Sequence, residues 1–285
     1  MHLHPVDPDH VPALDDAEAA APDDAPRGEA LARASAERLE RLADLHARLI
    51  AEGSRALLVV LQARDAGGKD GTVRHVFGAL NPSATRVTAF GAPAGDELRH
   101  DYLWRAHRAC PRRGTVGIFN RSYYEDVLAV RVRDLAPEAV WSRRYRHIAE
   151  FERLLVDEGT AVVKLFLHVS RAEQARRLRA RLEDPDKHYK YNPGDLDDRA
   201  RWGDYTRAYR DALAQTATKR APWYVVPADD KRVRNYLVAG VLVRALEAMK
   251  PEPRVLPPAR LAELKAGLDA ALAGEATPAG TKATA

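Results

Sequence analysis

The sequence predicts an α/β protein with a parallel sheet of five strands, covered on both faces. Three observations carry this. Five short apolar segments (residues 56–61, 86–90, 115–119, 161–169 and 223–226) alternate with segments of helical periodicity. The first segment opens onto a glycine loop and then an amphipathic helix. No repeat at solenoid spacing interrupts the alternation.

Residues 1–26 hold seven acidic side chains and no Lys or Arg, and read as a flexible acidic arm, or one draped on the body. Residues 28–52 read as a helix, with Leu31, Leu39, Leu42, Leu45 and Leu49 on one side and Gly53 as its stop. The run Ala56-Leu57-Leu58-Val59-Val60-Leu61 reads as a buried strand, and Val73, Val76, Phe77 and Leu80 follow the loop at helical spacing. Residues 96–108 read as a helix ended by Pro111 and Gly114, and residues 137–158 as a long helix stopped by Gly159. After the fourth strand, Ser170-Arg171-Ala172-Glu173 is a capping box opening the next helix. Residues 184–195 are polar, broken by Pro185, Pro193 and Gly194, and read as a loop. Helices to about residue 217, over 233–249 and over 257–273 complete the chain, and residues 274–285 are expected to be disordered.

The 285 residues are 46% hydrophobic and 30% charged, as in a soluble globular protein, and the apolar runs are too short to span a bilayer. The N-terminus lacks the basic-then-apolar order of a signal peptide. A single cysteine, Cys110, excludes an internal disulfide and suits a reducing cytoplasm. Because the acidic arm masks it, the body is more basic than the net charge of +4 suggests, which favours an anionic partner.

In parallel sheets ligands sit beyond the carboxyl ends of the strands, so the residues there are the candidates. After the first strand comes Asp65-Ala66-Gly67-Gly68-Lys69-Asp70-Gly71-Thr72. Glycines admit an anion to the backbone N–H groups, and Lys69 adds a mobile charge. The match to G-x-x-x-x-G-K-[ST] is incomplete: Ala63 replaces the first Gly and Asp70 the Mg²⁺-binding hydroxyl. Asp65 either organises Mg²⁺ between itself and phosphate or forms the turn. After the third strand come Asn120, Arg121, Ser122, Tyr123, Tyr124, Glu125 and Asp126. Arg121 could clamp two phosphate oxygens, while the two acids either help hold Mg²⁺ or open a helix. Arg176, Arg177, Arg179 and Arg181 crowd one helix, with Arg177 and Arg181 on one face; Lys187, His188 and Lys190 extend the charge into the following loop. Such a lid could exclude water from a phosphate chain, or be a solvated basic face.

The stretches LQARDAGGKDGT, PRRGTVGIFNRSYYEDVLAVRV, FLHVSRAEQARRLRARLEDPDKHYK and APWYVVPADDKRVRN together resemble the polyphosphate kinase 2 family in order and spacing, over about residues 28 to 250. The resemblance implies a P-loop kinase fold similar to thymidylate kinase, a three-layer αβα sandwich with a helical lid at about residues 176–198, within one domain over residues 27–273. It implies phosphoryl transfer from inorganic polyphosphate to AMP and/or ADP, with Mg²⁺ (Mn²⁺ as its substitute). It makes Asp65, Lys69, Arg121, Arg177 and Arg181 catalytic, with Asp65 holding Mg²⁺ directly or through water. Ala66, Gly67, Gly68, Asp70, Gly71, Thr72, Asn120, Glu125, Asp126 and Lys187 would bind phosphate or nucleotide. Asn120 stands where many members carry Asp, leaving Glu125 and Asp126 as replacement ligands. The form FNRSYYEDV is similar to the subgroup accepting both AMP and ADP. Adenine nucleotides, with guanine as an extension, and a homodimer or homotetramer follow from the same resemblance; the residues themselves suggest a cytoplasmic setting and no membrane partner, as above, and no nucleic-acid partner, since no helix-turn-helix, RNP or finger pattern occurs. An ATP-dependent nucleoside monophosphate kinase and a non-catalytic polyanion-binding protein are the alternatives.

Overall fold

The computed structural model describes residues 1–275; the tail expected to be disordered lies outside them, apart from its first two residues. It divides into a unit Met1–Glu252 and a second unit Pro253–Ala285.

In the first unit five parallel strands, β1 (Ala56–Ala63), β2 (Thr85–Ala89), β3 (Val116–Asn120), β4 (Thr160–His168) and β5 (Trp223–Pro227), run in the order β2-β3-β1-β4-β5. β1 is central, which is why all eight of its residues are buried and its sequence does not alternate. Its neighbours are in register through Val59↔Ile118 and Val59↔Val163. Chain order reverses at β1, so the crevice at its carboxyl end collects the segments following β1, β3 and β4.

Side chains of β1 divide between two cores. Leu57, Val59 and Leu61 join Leu42, Leu45 and Leu49 of α1 (Gly28–Glu52) and Val238 and Leu242 of α9 (Lys231–Met249). Leu58 and Val60 join the other core, with Ile148 and Phe151 of α5 (Glu138–Asp157) and Ala208, Tyr209 and Leu213 of α8 (Trp202–Thr216). The result is helix, sheet, helix, the three layers the sequence implied. α9 is apolar on nearly every side because it is buried; the Asp230 carboxylate caps it, accepting from the N–H groups of Arg232 and Val233.

Several expected elements differ. The segment 96–108 breaks into a 3₁₀ turn Gly95–Arg99 and α3 (Trp104–Ala109). The expected loop over 184–195 contains a 3₁₀ turn, Pro185–Lys190, and the start of α7 (Gly194–Ala200), because Pro185 and Pro193 each open a helical turn. Between β3 and α5 lie a 3₁₀ turn, Tyr123–Asp126, and α4 (Ala129–Val132).

The acidic arm, expected to be flexible or draped on the body, is docked. Val6 donates its N–H to the Trp223 carbonyl on the edge of β5. Leu14 is buried in the second core, the Asp15 carbonyl meets His168 Nε2 at 2.6 Å, and the Asp16 carboxylate accepts the N–H of Arg171 at 2.9 Å. The few apolar side chains of the arm are enough to seat it because its polar backbone also finds partners.

In the second unit, α10 (Pro258–Glu275) carries Leu261, Leu264, Leu268 and Leu272, all exposed. Among the described residues no helix is long and apolar enough to cross a membrane.

Candidate active site

The loop after β1 is shaped by close packing. A Cβ on Gly67 would lie 2.6 Å from the Ala63 Cβ and 2.9 Å from the Arg64 carbonyl. The close approach that the usual first glycine permits is therefore made from the other side, which is how Ala63 is tolerated. Gly68 adopts φ 103° directly beneath the Arg234 guanidinium, which any larger side chain would displace. Ala66 holds φ 57° without being glycine, a conformation that needs support from its surroundings.

That support comes from α6 (Arg171–Glu183), capped as expected by Ser170, whose Oγ accepts the Glu173 N–H. Gln174 Nε2 donates to the Asp65 carbonyl at 3.0 Å. Arg177 Nη1 donates to the Ala66 carbonyl at 3.0 Å, Nη2 to the carbonyls of Ala228 and Asp229, and Nε to Glu173. Arg177 is thus buried and engaged with protein on all three nitrogens, joining the loop to the β5–α9 turn. Arg181 turns into the lid, donating to the Lys190 carbonyl and to Asp195, and Lys187 pairs with Asp184 at the exposed surface.

The charges facing the cleft come from two segments. Lys69, at the start of α2 (Lys69–Val76), donates to the Ala63 carbonyl at 2.8 Å. Arg121 donates through Nη2 to Asp65 Oδ1 at 2.7 Å and holds φ 62°. Glu125 is four residues on, on the same side of the 3₁₀ turn, and its charge interacts with Arg121 and Lys69. Asn120 donates to Asp70 at 2.8 Å, so the residue that stands where many family members carry Asp meets the one that replaces the loop hydroxyl. Asp126 lines the same cleft but is already engaged, accepting from Arg144 at 3.0 Å. Thr72 is fully buried, and its hydroxyl finds no hydrogen-bond partner among the described residues.

Burial, and next the positive charge of Arg121, push Lys69 down to about 8. Burial would lower Arg121 too, but the charges of Glu125 and Asp65 outweigh it and raise it. Burial raises Glu125 against the opposing pull of Arg121 and Lys69. Polyanion binding should therefore shift the Lys69 proton equilibrium. Near pH 8 the free protein holds that proton only partly, and an adjacent phosphate stabilises the ammonium. Binding of polyphosphate at pH 8 to 9 is expected to take up protons, and at pH 6.5 none through this group. Calorimetry in buffers of different ionisation enthalpy reads the difference; equal uptake at both pH values would refute it. The same depression makes this group's contribution to stability rise with pH above about 8, since the unfolded chain then binds more protons than the folded one.

The cleft has a volume of about 370 Å³ and runs from Asp65, Arg121 and Glu125 to an apolar wall that includes Phe90, Val130 and Trp202. Among the described residues no three His, Cys, Asp or Glu side chains cluster as a metal cage. Of the four carboxylates that line the same cleft, Asp65, Glu125, Asp126 and Asp198, the first two lie beside Lys69 and Arg121. That donor set suits Mg²⁺, which needs one or two carboxylates and completes its shell with phosphate oxygens and water.

Sequence reasoning missed Arg64, Gln174 and Arg234. Arg64 is buried and stacked 3.9 Å over the Trp202 ring, donating to the Trp202 carbonyl and Thr206 Oγ1, so it ties the end of β1 to α8. Its position next to Asp65 was the available signal. Arg234 lies in the stretch PADDKRVRN, and Gln174 one residue beyond the capping box.

The polyphosphate kinase 2 family profile matches residues 27–254. An AMP/ADP-polyphosphate phosphotransferase of Meiothermus ruber is 54% identical over 219 residues, covering 76% of this chain and 81% of that protein. An ADP-polyphosphate phosphotransferase of Rhodopseudomonas palustris is 44% identical, covering 79% of this chain and 82% of that protein. The crystal structure of polyphosphate kinase 2 from Arthrobacter aurescens TC1 superposes with a TM-score of 0.82 at 40% identity, covering 92% of this chain and 91% of that one. A basic cleft at the end of a central strand, on a chain matched over this length, leaves one assignment: the chain belongs to the polyphosphate kinase 2 family.

Proposed function

We propose that this chain transfers the terminal phosphoryl group of inorganic polyphosphate to AMP and to ADP, reversibly and with Mg²⁺. The observation that supports it best is the meeting of Arg121, Asp65 and Glu125 on a cleft whose other wall is apolar and aromatic, with Lys69 within charge reach of all three. A terminal oxygen of the acceptor phosphate attacks the terminal phosphorus of the chain. The bond from that phosphorus to the bridging oxygen breaks, and the shortened polyphosphate leaves with the electron pair. Lys69 and Arg121 neutralise the charge spread over the moving group, and the loop N–H groups fix its orientation. Asp65 and Glu125 would hold the Mg²⁺, which supplies charge neutralisation between donor and acceptor phosphates; Mn²⁺ meets the same donors. Arg177 and Gln174 act on the loop rather than on phosphate, and Arg64 fixes the end of β1 against α8. Use of both acceptors is supported by the name of the Meiothermus ruber relative. A cytoplasmic homodimer or homotetramer belongs to the same reading, supported by the exposed leucine stripe of α10 and the single cysteine, Cys110.

The test is a transfer assay with Mg²⁺, long-chain polyphosphate and either AMP or ADP, reading products by chromatography. ADP from AMP and ATP from ADP are expected. Product from ADP alone would remove the dual-acceptor reading. Product only when ATP replaces polyphosphate would favour a nucleoside monophosphate kinase.

A further inference from the structure

Behind the cleft, on the second core side of the sheet, lies a polar network that the transfer reaction does not use. Glu152 of α5 and Lys164 of β4 are fully buried and joined at 2.5 Å. Both phenols of the turn after β3 end on the same carboxylate oxygen: Tyr123 Oη donates to Glu152 Oε1 at 3.0 Å and Tyr124 Oη lies 2.9 Å from it. Tyr124 Oη also meets Thr216 Oγ1 at 2.8 Å, and Lys164 Nζ donates to the Thr216 carbonyl at 2.7 Å. Trp223 Nε1 closes the group on Thr216 Oγ1. None of these side chains lines the cleft.

Stability does not explain an ion pair in this place, because well-packed apolar residues usually serve a core at least as well. Its geometry does. The turn divides its residues between two sides. Arg121 and Glu125 face the cleft, whereas Tyr123 and Tyr124 face the core. Arg121 sits at φ 62°, which a residue with a side chain keeps only where its surroundings over-determine it. One end of the turn is fixed by the Arg121 N–H on the Leu61 carbonyl and by Ser122 Oγ accepting the Tyr124 N–H. The other end has the two phenols. Any rotation relaxing Arg121 would pull both hydroxyls off Glu152.

We propose that Glu152, held by Lys164, is a positioning residue for Arg121 and Glu125: it anchors both phenols of the turn that presents them to the transferred phosphate. The inference rests on the polyphosphate-dependent transfer proposed above. Two double variants separate positioning from simple core stability. Glu152→Gln with Lys164→Met removes the charge pair but keeps an oxygen acceptor for the phenols, and the Gln amide can take over the Thr216 carbonyl. Glu152→Leu with Lys164→Met removes the charge pair and the acceptor together. The first is expected to keep kcat within about threefold of the parent. The second is expected to lose about 10²-fold in kcat while the KM for polyphosphate stays within about threefold, since misplacement of about 1 Å costs that much in the transfer step. Equal kcat in the two doubles, or a change confined to KM, would overturn the proposal. If the leucine double does not fold, Tyr123→Phe with Tyr124→Phe removes the same hydrogen bonds from the donor side and keeps the rings. It must show the same kcat loss, and parental kcat there overturns the proposal equally. A parent chain without turnover would instead defeat the function from which the inference starts; an active parent with two doubles alike defeats the inference alone.

Discussion

Lys69→Ala is expected to lower kcat for phosphoryl transfer by about 10³-fold, with a melting temperature within a few degrees of the parent. The magnitude follows from removing a cation aimed at charge that develops in the transition state, in a cleft where water screens it poorly. The fold should survive because the side chain makes a single hydrogen bond to protein, to the Ala63 carbonyl, and carries a charge that burial already disfavours. Circular dichroism and thermal melting check the fold, and steady-state kinetics with saturating polyphosphate check the rate. Parental kcat in a folded Lys69→Ala protein would remove Lys69 from the mechanism and leave Arg121 as the principal cation of the cleft.

Arg177→Ala should behave differently, and the contrast is diagnostic. Its guanidinium is buried and donates to Ala66, Ala228, Asp229 and Glu173. Removing it leaves three buried carbonyls short of a charged donor and Ala66 without the partner nearest its strained backbone. A loss of about 3 to 5 kcal/mol in stability is expected, together with about 10²-fold in kcat as the loop moves. Arg177→Lys should recover little, since an ammonium cannot reach both sides of the fork. If Arg177 instead touched the donor phosphate, alanine would raise the KM for polyphosphate and leave the melting temperature unchanged. That outcome would return it to the lid role implied by the family resemblance.

Much of this architecture could be read before the structure. The uninterrupted apolar run of β1 requires burial on both faces, and burial on both faces requires a central strand with helices above and below. The loop glycines, Lys69 and the residues after β3 could be assigned to one edge of the sheet because parallel strands end together. Three things could not be read. The charge run on α6 shows that arginines are abundant there but not that Arg177 turns inward to the loop, because inward and outward faces of a short basic helix look alike in sequence. Asp126 and Glu125 are adjacent acids that both line the cleft, and only the 3₁₀ geometry gives one to Arg144 and sets the other beside Arg121 and Lys69. The arm looked unstructured because Val6, Val11 and Leu14 are too sparse to show a period, yet each finds an existing apolar surface on which to rest.

The docked arm also has a consequence for how the chain is made. Val6 sits on the outer edge of β5, whose partner residue Trp223 lies near the other end of the chain. During synthesis, therefore, the first residues wait while almost the whole of the sheet is built. Contacts so distant in sequence form late and slowly. Until the arm seats, the free edge of β5 presents unpaired backbone groups to other nascent chains, the arrangement that templates strand addition. Its acidic side chains keep the waiting segment hydrated and repel a second arm. The same segment then covers part of that edge, through the Val6 N–H on the Trp223 carbonyl.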